Sequence, residues 1–592
     1  MSHRRPLREP TSPYNGRPVK KVILAVLGVC LVSCAEPPPP IADLILVNGR
    51  IYTLTWAEPD GFGNPASEAP RGVNGWHPDA EAIAINGNRI ALVGDRSAVE
   101  KRQGATTRVI DLQGATVLPG LIESHVHLAN LGAALERVNL VGVTTEAQAV
   151  DRVAERAKTV PKGQWIVGWG WDEGAWANRL PTMRLLSERV PDHPVILHGL
   201  HTFAVWGNRL AFERAAITKH TATPSGGEIQ KDASGNPTGV LVNNASSLLT
   251  AAVPPPTPAG LAERVTKALD AMIAAGFTSV HEAGADTALI AALEDLEKTG
   301  RLTLPVYAML AARDSALVDA WRARGPKYSA GRLVIRGVKA FYDGAMGSRG
   351  AFFVAPYTDR PDHSGVGGAA YGFDADRLRA AMTSGFQVSI HAIGDRANRE
   401  ALDFFENIMR ESPAARETRP RIEHAQVLSP SDVSRFGTIG VIASMQPSHA
   451  VEDMAWVEDR IGRQRAAGAY AWRALRVTGA RMTLNSDLPA TDYNIFYGWH
   501  SAVTRTDRQG KPAGGWHKDQ ALTIEEAIRG WTNWAAYAEF REQELGLITA
   551  GRMASLTVMN IDPFDVGDTS PHKLLDGKIL MTIVEGKVTD RR

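Results

Sequence analysis

Short apolar runs alternate with stretches of helical periodicity through the middle of the chain, and this alternation constrains the fold more than any other feature. Nine runs indicate buried strands, at residues 121–127, 195–199, 277–282, 305–311, 337–343, 387–392, 421–425, 441–446 and 481–487. Strands that alternate with helices in this way predict an α/β fold with a parallel sheet. Eight such units close into a (β/α)8 barrel of the TIM type, so nine runs are one too many.

The run VILHG at 195–199 is the one that does not fit the repeat. It lies in a region rich in Trp, Gly and Pro that lacks regular spacing between strand and helix. We therefore assign residues 129–275 to a large insertion after the first barrel strand. Such an insertion emerges at the C-terminal face, where barrel enzymes carry their catalytic groups. Its aromatic content suits either a substrate wall or a plain packing subdomain.

The two ends of the chain share a different pattern, which predicts β-hairpins. Asn-Gly lies between β-rich runs in LILVNGRIYTL and in AIAINGNRIALVG. Similar β-rich runs occur near the C-terminus, in MASLTVMNI and GKILMTIVEGKVTD. Asn-Gly between such runs is the strongest short-range signal for a hairpin. We predict a small β-sandwich built from residues 42–118 and 546–592, which flanks a barrel domain at 119–545.

Residues 1–41 differ in kind from the rest and predict export. A basic region ending in KK at 20–21 precedes twelve mostly apolar residues at 22–33, which Cys34 follows to complete the sequence LVSC. Twelve residues are too few to span a bilayer, which takes about 20, but they suit the core of a signal peptide. The segment resembles a bacterial lipoprotein box, which predicts a lipid anchor at Cys34, a Pro-rich tether and an outer-membrane or periplasmic location. An ordinary cleaved signal peptide or an uncleaved anchor is the alternative.

The overall charge argues against some classes of partner. The net charge is +1, with 44% apolar and 22% charged residues, which describes a folded globular protein. This balance gives no electrostatic case for binding nucleic acid. We expect a small-molecule substrate, and contact with a membrane only through the N-terminal lipid anchor.

Histidines and an aspartate stand where four of the predicted strands end. The first strand closes with His125 and His127, whose spacing points both imidazoles to one side. His391, His424 and Asp487 close three later strands, and such strand ends are where barrel enzymes collect their catalytic groups. A His-x-His pair alone is more often a hydrogen-bonded or surface pair, but the five residues together predict a metal site.

Lys339, in the strand GVKAFYDG, is predicted to project from a strand of the barrel. Burying an unpaired charge costs several kcal/mol or shifts its pKa. Either this face of the strand is solvated, or a group inside the barrel pairs with the lysine.

The order His-x-His, Lys, His, His, Asp resembles the amidohydrolase superfamily of metal-dependent hydrolases. The phrases LPGLIESHVHL, GVKAFYDGAMGSRGA, IHAIGDRAN, IEHAQ and NSDLP resemble its branch that includes the N-substituted formamide deformylases, amidohydrolase family 3. The resemblance implies two metal ions with these ligands: His125, His127 and Asp487 for the first, His391 and His424 for the second. It also implies that Lys339, carboxylated on its amine by CO2, bridges the two ions.

The chemistry of the predicted ligands agrees with hydrolysis. Imidazole and carboxylate ligands without thiolate suit zinc, manganese, iron or similar divalent ions, and we expect one or two such ions, with zinc first. A metal-activated water would attack the substrate. Asp487 would accept the proton of this water as general base and pass it to the leaving nitrogen as general acid. The predicted reaction is hydrolysis of a C–N bond in an amide, N-formyl or cyclic amide substrate.

Four further residues are candidates for substrate contact. Asp343 shares the strand face of Lys339, and Arg349 presents a fork that can bind a carboxylate or carbonyl. His449 follows the seventh barrel strand, and His201 lies in GLHTFAVW of the insertion. The alternatives are a turn role for Asp343, a surface loop for Arg349 and hydrogen-bonded structural histidines.

Two other functions stay open at this point. A mononuclear amidohydrolase, such as a deaminase acting on a C=N bond, would use the histidines and Asp487. The resemblance implies a glutamate near the fifth strand in such enzymes, where this chain has HAIGD. A non-catalytic exported binding lipoprotein is the third candidate. The metal content of the purified protein would separate the three functions. Two ions per chain would favour the two-metal hydrolase, one ion the mononuclear enzyme, and none the binding lipoprotein.

Overall fold

Eight parallel strands form a nearly closed barrel at the centre of the molecule. A computed structural model describes residues 40–591 apart from 172–179, 201–203 and 329–330. The barrel strands are Leu121–Val126 (β1), Phe277–Ala285 (β2), Val306–Ala311 (β3), Leu333–Phe341 (β4), Gln387–Ala392 (β5), Arg421–His424 (β6), Ile442–Met445 (β7) and Met482–Leu484 (β8). They are hydrogen-bonded in chain order from β1 to β8. A parallel bridge between Val126 and Leu488 joins the two edges. The predicted (β/α)8 barrel is confirmed.

The barrel strands are covered on both faces, because helices pack outside and side chains fill the interior. Every residue of β1 and of β5 is buried. The helices that follow β2 to β8 are Thr287–Lys298, Ser315–Arg324, Ala375–Thr383, Asp395–Glu411, Pro430–Ile439, Pro447–Asp453, Val457–Ala466, Trp472–Val477, Ile495–Thr504, Ile524–Gly530 and Asn533–Ala538. A parallel sheet covered in this way needs nearly continuous apolar runs, which is why such runs predicted the strands.

The segment between β1 and β2 contains a second sheet. Its six strands are hydrogen-bonded in the order Val138–Asn139, Ile166–Trp171, Val195–Gly199, Ala204–Gly207, Pro237–Asn243 and Gly227–Lys231. Four helices accompany it: Glu146–Ala157, Met183–Arg189, Arg209–Arg214 and Ser246–Thr250. Ile196 and Leu197 belong to different apolar clusters, one on each face of the sheet. The run VILHG therefore lies in this sheet and not in the barrel.

The insertion begins and ends with helices that pack on the barrel instead of the second sheet. Leu128–Glu136 and Pro258–Ala274 lie against each other. Leu131 and Leu269, one from each helix, are buried in the same apolar core as the barrel. The separate part of the insertion is thus shorter than the predicted 129–275, because the apolar faces of both flanking helices are buried by the barrel.

Gly132→Ala is expected to lower the midpoint of thermal unfolding. A Cβ atom at Gly132 would lie 2.1 Å from the carbonyl oxygen of Arg264, so the two flanking helices must move apart. Overpacking of this kind costs about 1–3 kcal/mol. Gly72→Ala is the matched control, since no atom lies within 4 Å of the Cβ that it would add. Equal midpoints for the two variants would show that the helices separate without cost.

The two ends of the chain meet in a β-sandwich. One sheet has the strand order Arg89–Gly94, Ala82–Asn86, Leu44–Val47 and Arg108–Asp111. The other has the order Arg50–Ile51, Thr116–Pro119, Leu556–Met559, Ile579–Val584 and Lys587–Arg591. The antiparallel pairing of Thr116–Pro119 with Leu556–Met559 joins the N-terminal and C-terminal segments. Leu46 and Val558, one from each sheet, share a single apolar cluster.

Several short elements complete the described part of the chain. A two-stranded hairpin pairs Arg71–Gly72 with Gly75–Trp76. The remaining helices are Arg96–Val99 and Pro563–Thr569, with single 3-10 turns at Glu100–Arg102, Gly368–Tyr371, Pro413–Thr418, Lys518–Gln520 and Pro571–Asp576.

The predicted export segment, including Cys34, lies outside the described residues. Within residues 40–591, leaving aside the three gaps, no helix has both the length and the apolar character needed to cross a bilayer. The lipid anchor therefore stays a prediction from the sequence.

Candidate metal centre

The predicted ligands converge at the C-terminal end of the barrel. They belong to five strands or to the residues just after them: His125 and His127 (β1), Lys339 (β4), His391 (β5), His424 (β6) and Asp487 (β8). The C-terminal ends of parallel barrel strands form one rim, so residues hundreds of positions apart become neighbours there. The structure brings all six together, as the following distances show.

The first group of donor atoms surrounds the Asp487 carboxylate. Its Oδ1 lies 3.4 Å from Nε2 of His125 and 3.5 Å from Nε2 of His127. The donor atoms of the three residues lie within 4.8 Å of one another. Ligand bonds of about 2.0–2.2 Å can span such a spacing from a single central ion.

The second group shares Asp487 with the first. His424, His449 and Asp487 also place donor atoms within 4.8 Å of one another. His449 lies on the helix after β7, and its ring stacks on that of His424 with 6.2 Å between centroids. The ring centroid of His391 is 4.4 Å from that of His424. The structure therefore places His449, predicted only as a substrate contact, as near to the centre as the predicted ligands.

Lys339 projects into the barrel and not into solvent. The residue is 1% exposed, and its Nζ lies 3.3 Å from Nε2 of His125. The ring of Phe341 lies 5.0 Å from the same nitrogen. Burial lowers the pKa of Lys339. The question raised by the sequence is thus answered: a group inside the barrel, an imidazole, contacts the lysine.

The backbone is left-handed at three non-glycine positions of the rim. The angle φ is 75° at His424, 43° at Ala425 and 52° at Asp487. Non-glycine residues adopt this conformation rarely, and such positions cluster at functional sites. At His424 and Asp487 the unusual conformation comes at or just after the end of β6 and β8. At both positions the side chain lies among the donor groups.

The protonation states of the buried donors are those that a cation requires. Burial lowers the pKa of His125 to about 4 and that of His424 to about 3, so both imidazoles are neutral at pH 7. Burial also acts to raise the pKa of Asp487, but His125 and the hydrogen bond with His127 hold it well below its usual range. Neutral imidazole and ionised carboxylate are the forms that bind divalent metals. The donor set therefore fits a metal ion with nitrogen and oxygen ligands.

The residues that hydrogen-bond to the predicted ligands, on the side away from the donor atoms, were not identified from the sequence. Oε2 of Glu423 lies 2.7 Å from Nδ1 of His125, and Oε1 of Gln446 lies 2.9 Å from Nδ1 of His424. Arg421 pairs with Glu423 at 2.8 Å. The available signal was the strand RIEH itself. Arg and Glu at alternate positions of a strand buried on both faces need polar partners inside the barrel.

Asp343, predicted to contact substrate, lies 3.6 Å from Nε2 of His391 through its Oδ1 and is hydrogen-bonded to three backbone N–H groups. Its Oδ2 accepts from the backbone N–H groups of Phe352 at 2.8 Å and Gly394 at 2.9 Å, and its Oδ1 accepts from that of Ile393 at 3.0 Å. The side chain is fully buried. Asp343 therefore holds the loops after β4 and β5 together, because a buried carboxylate satisfies three backbone donors there.

Arg349, also predicted to contact substrate, pairs with a carboxylate in the structure. Its guanidinium forms a two-point pair with Asp359, at 3.2 Å from Nε and 2.8 Å from Nη2. The fork is thus paired with a carboxylate ten residues further along the same loop, which follows β4. His201, the fourth candidate, lies outside the described residues.

Fold and site together define a class of protein. A parallel eight-stranded barrel that gathers imidazole and carboxylate donors at its C-terminal rim is the architecture of a metal-dependent hydrolase. The chain belongs to the amidohydrolase family, whose model matches residues 108–590. The resemblance stated from the motifs is confirmed.

Similar proteins cover nearly the whole chain. The chain is 30% identical over 574 residues to the protein LONG AFTER FAR-RED 3 of Arabidopsis thaliana, an alignment that covers 94% of this chain and 93% of that protein. It is 28% identical over 539 residues to the N-substituted formamide deformylase of Arthrobacter pascens, covering 86% and 94%. An uncharacterized metal-dependent hydrolase from Pyrococcus furiosus superposes with a TM-score of 0.69 at 27% identity, covering 88% and 99%. The protein is a metal-dependent amidohydrolase that acts on C–N bonds.

Proposed function

We propose that the protein hydrolyses the C–N bond of an amide, N-formyl or cyclic amide substrate with two divalent metal ions, preferably zinc. The observation that carries the proposal is the convergence of donor atoms from His125, His127 and Asp487 within 4.8 Å of one another. These three residues would hold the first ion. His391 and His424 would hold the second. When bound, such ions lower the pKa of water towards 7 and polarise the carbonyl oxygen of the substrate.

Asp487 is the residue proposed to move the proton. Its carboxylate belongs to both donor groups, and its low pKa keeps it ionised at neutral pH. It accepts one proton from water as the new C–O bond forms at the carbonyl carbon. It then donates this proton to the nitrogen as the C–N bond breaks, which releases a neutral amine and a carboxylic acid. Its contact with His127 orients the carboxylate for both transfers.

Lys339 is proposed to act as a carbamate. The neutral amine would form an N–C bond with CO2 and lose a proton, which converts a cationic side chain into an anionic one with two oxygen donors. Its position beside His125 and its burial support this role, because an anion that bridges two cations does not remain an unpaired buried charge.

His449 has two possible partners in this scheme, since it lies beside both His424 and Asp487. It is the less buried member of that group of histidines, and helix Pro447–Asp453 presents it from outside the barrel strands. We assign it to the substrate side of the centre, where an imidazole can bind the carbonyl oxygen of the substrate.

The location of the enzyme is also a proposal. The signal-like segment at 22–33 and the lipoprotein-like sequence ending at Cys34 support an exported protein with a lipid anchor in the outer membrane or periplasm. Such an enzyme would meet small amides that enter from outside the cell.

Metal analysis and a substrate panel test the function together. Purified protein loaded with Zn2+ is expected to hold two ions per chain and to release amine from N-formyl or N-acyl amines, hydantoins or lactams. N-formyl amines are the first substrates to test, because the relative from Arthrobacter pascens is named an N-substituted formamide deformylase. One ion per chain with release of ammonia from a C=N substrate would favour the deaminase alternative. Absence of metal and of turnover across the panel would contradict the proposal.

A further inference from the structure

One buried arginine lies at the centre of a hydrogen-bonded network beneath the metal centre. Arg421 and Glu423 are both 0% exposed and pair at 2.8 Å through Nε and Oε1. Nη2 of Arg421 donates to Oγ of Ser444 at 3.0 Å and to the carbonyl oxygen of Ser124 at 2.9 Å. Nη1 lies 3.0 Å from Nδ1 of His281. The guanidinium, which has only donors, is thus fixed in orientation by acceptors on several strands.

One arm of the network ends on the first group of donors. Oε2 of Glu423, besides its 3.1 Å contact with Nη2 of Arg421, lies 2.7 Å from Nδ1 of His125. A carboxylate can only accept there, so Nδ1 of His125 carries the proton. Nε2 of His125 is thereby left with its lone pair, and it is the atom that faces Asp487. The partner of His125 is an anion.

The other arm ends on the second group. Ser444, which contacts Arg421, accepts from Nδ2 of Asn485 at 2.9 Å. Oδ1 of Asn485 accepts from Nε2 of Gln446 at 2.8 Å, which leaves Oε1 of Gln446 to accept from Nδ1 of His424 at 2.9 Å. His424 thus has the same tautomer as His125, but its partner is a neutral amide.

We propose that this network sets an order of affinity between the two metal positions, with the position that includes His125 binding a divalent ion more tightly than the one that includes His424. The difference in partner between His125 and His424 is the physical reason, since the carboxylate nearest to His391, that of Asp343, lies 3.6 Å from Nε2 of His391 and forms no hydrogen bond with it. A carboxylate behind a ligating imidazole raises the basicity of the ligand, and loss of such a partner typically weakens metal affinity by 10–100-fold. Glu423 and Gln446 are positioning residues here, since neither is among the donor groups that face the centre. The inference rests on the two-ion form of the proposed function.

Titration of the metal-free protein with Zn2+ tests the proposal. Calorimetry in the presence of a competing chelator and bicarbonate gives the affinity of each step, and elemental analysis counts the ions. The wild-type protein is expected to bind in two resolved steps. Glu423→Gln is expected to weaken the tighter step by about 10–100-fold, which reduces the difference in affinity between the two steps. Gln446→Met, which removes the amide partner of His424, is expected to weaken the second step alone.

Glu539→Gln is the matched control, because Glu539 is another buried carboxylate linked to the same network. It lies 3.6 Å from Nε2 of His281 and contacts none of the predicted ligands. Both affinities are expected to stay as in the wild type. If Glu423→Gln does not fold, Glu423→Asp keeps the charge and withdraws the carboxylate from His125 by one methylene. It is expected to fold and to weaken the tighter step.

The outcomes separate this proposal from the function on which it rests. Unchanged affinities in folded Glu423→Gln, or a shift of the weaker step instead of the tighter one, would overturn the proposed order. A wild-type protein that binds a single ion would contradict the two-ion function and, with it, the order of affinity. The effect of Glu423→Gln on that single ion would still show whether Glu423 positions His125.

Discussion

Asp487→Asn is expected to lower kcat by at least about 10³-fold while the protein stays folded. The substitution keeps the shape of the side chain but removes its negative charge. Because Asp487 belongs to both donor groups, the variant loses a proposed shared metal ligand together with the proposed proton carrier. Steady-state kinetics with the best substrate of the panel measure the effect, and elemental analysis gives the metal content.

A second aspartate in the same loop provides the control for this prediction. Asp492 lies five residues further along the chain, is partly exposed and pairs with Arg508 at 2.5 Å. Asp492→Asn is expected to leave kcat and metal content unchanged. Circular dichroism and the unfolding midpoint show whether each variant is folded. If folded Asp487→Asn keeps more than about a tenth of the wild-type kcat, Asp487 is not the proton carrier.

Lys339→Ala is expected to lower both metal content and activity, each by about 10²-fold or more in affinity or rate. The reason is the loss of the proposed bridging ligand, whose removal is expected to cost at least as much as that of a residue that only orients a ligand. The cavity left by the side chain lies beside Nε2 of His125. A short carboxylic acid such as propionic acid can enter this space and supply two oxygen donors. Its addition is therefore expected to restore part of the metal content and of the activity.

Lys339→Met separates the loss of the amine from the loss of volume. Methionine fills most of the space of the lysine and leaves little room for an added acid, so it is expected to be inactive and not to be rescued. Normal metal content in Lys339→Ala would refute the carbamate bridge. Rescue of Lys339→Met equal to that of Lys339→Ala would show that the acid acts elsewhere.

The strands and their order could be predicted from the sequence because their signals are local. A strand covered on both faces needs an apolar run, and Asn-Gly between β-rich runs favours a hairpin. Each of the eight barrel strands overlaps its predicted run. The histidines and Asp487 could be proposed as ligands for a similar reason, since polar residues at the ends of apolar strands stand out without knowledge of any contact, whereas Lys339 was proposed from the motif resemblance.

The roles of the other residues depended on contacts between distant positions. Asp343 and Arg349 were predicted to face substrate, and the structure shows in addition that Asp343 accepts from backbone N–H groups of two loops and that Arg349 pairs with Asp359. His449 was predicted as a substrate contact, and the helix after β7 brings it beside Asp487. No local pattern reports which partner a polar side chain meets, because the partner depends on how the loops and helices fold against one another.

Sequence by itself thus determined the barrel and the family, which rest on the types and spacing of residues along the chain, and it predicted six ligands, Lys339 among them through the motif resemblance. Only the tertiary structure decided which residues hydrogen-bond to the predicted ligands from inside the barrel. Glu423 and His125 are 298 positions apart in the chain and meet at 2.7 Å because the barrel brings β1 and β6 to opposite sides of one interior. The sequence left open whether Lys339 faces solvent or a partner inside the barrel. The fold buries it beside the imidazole of His125.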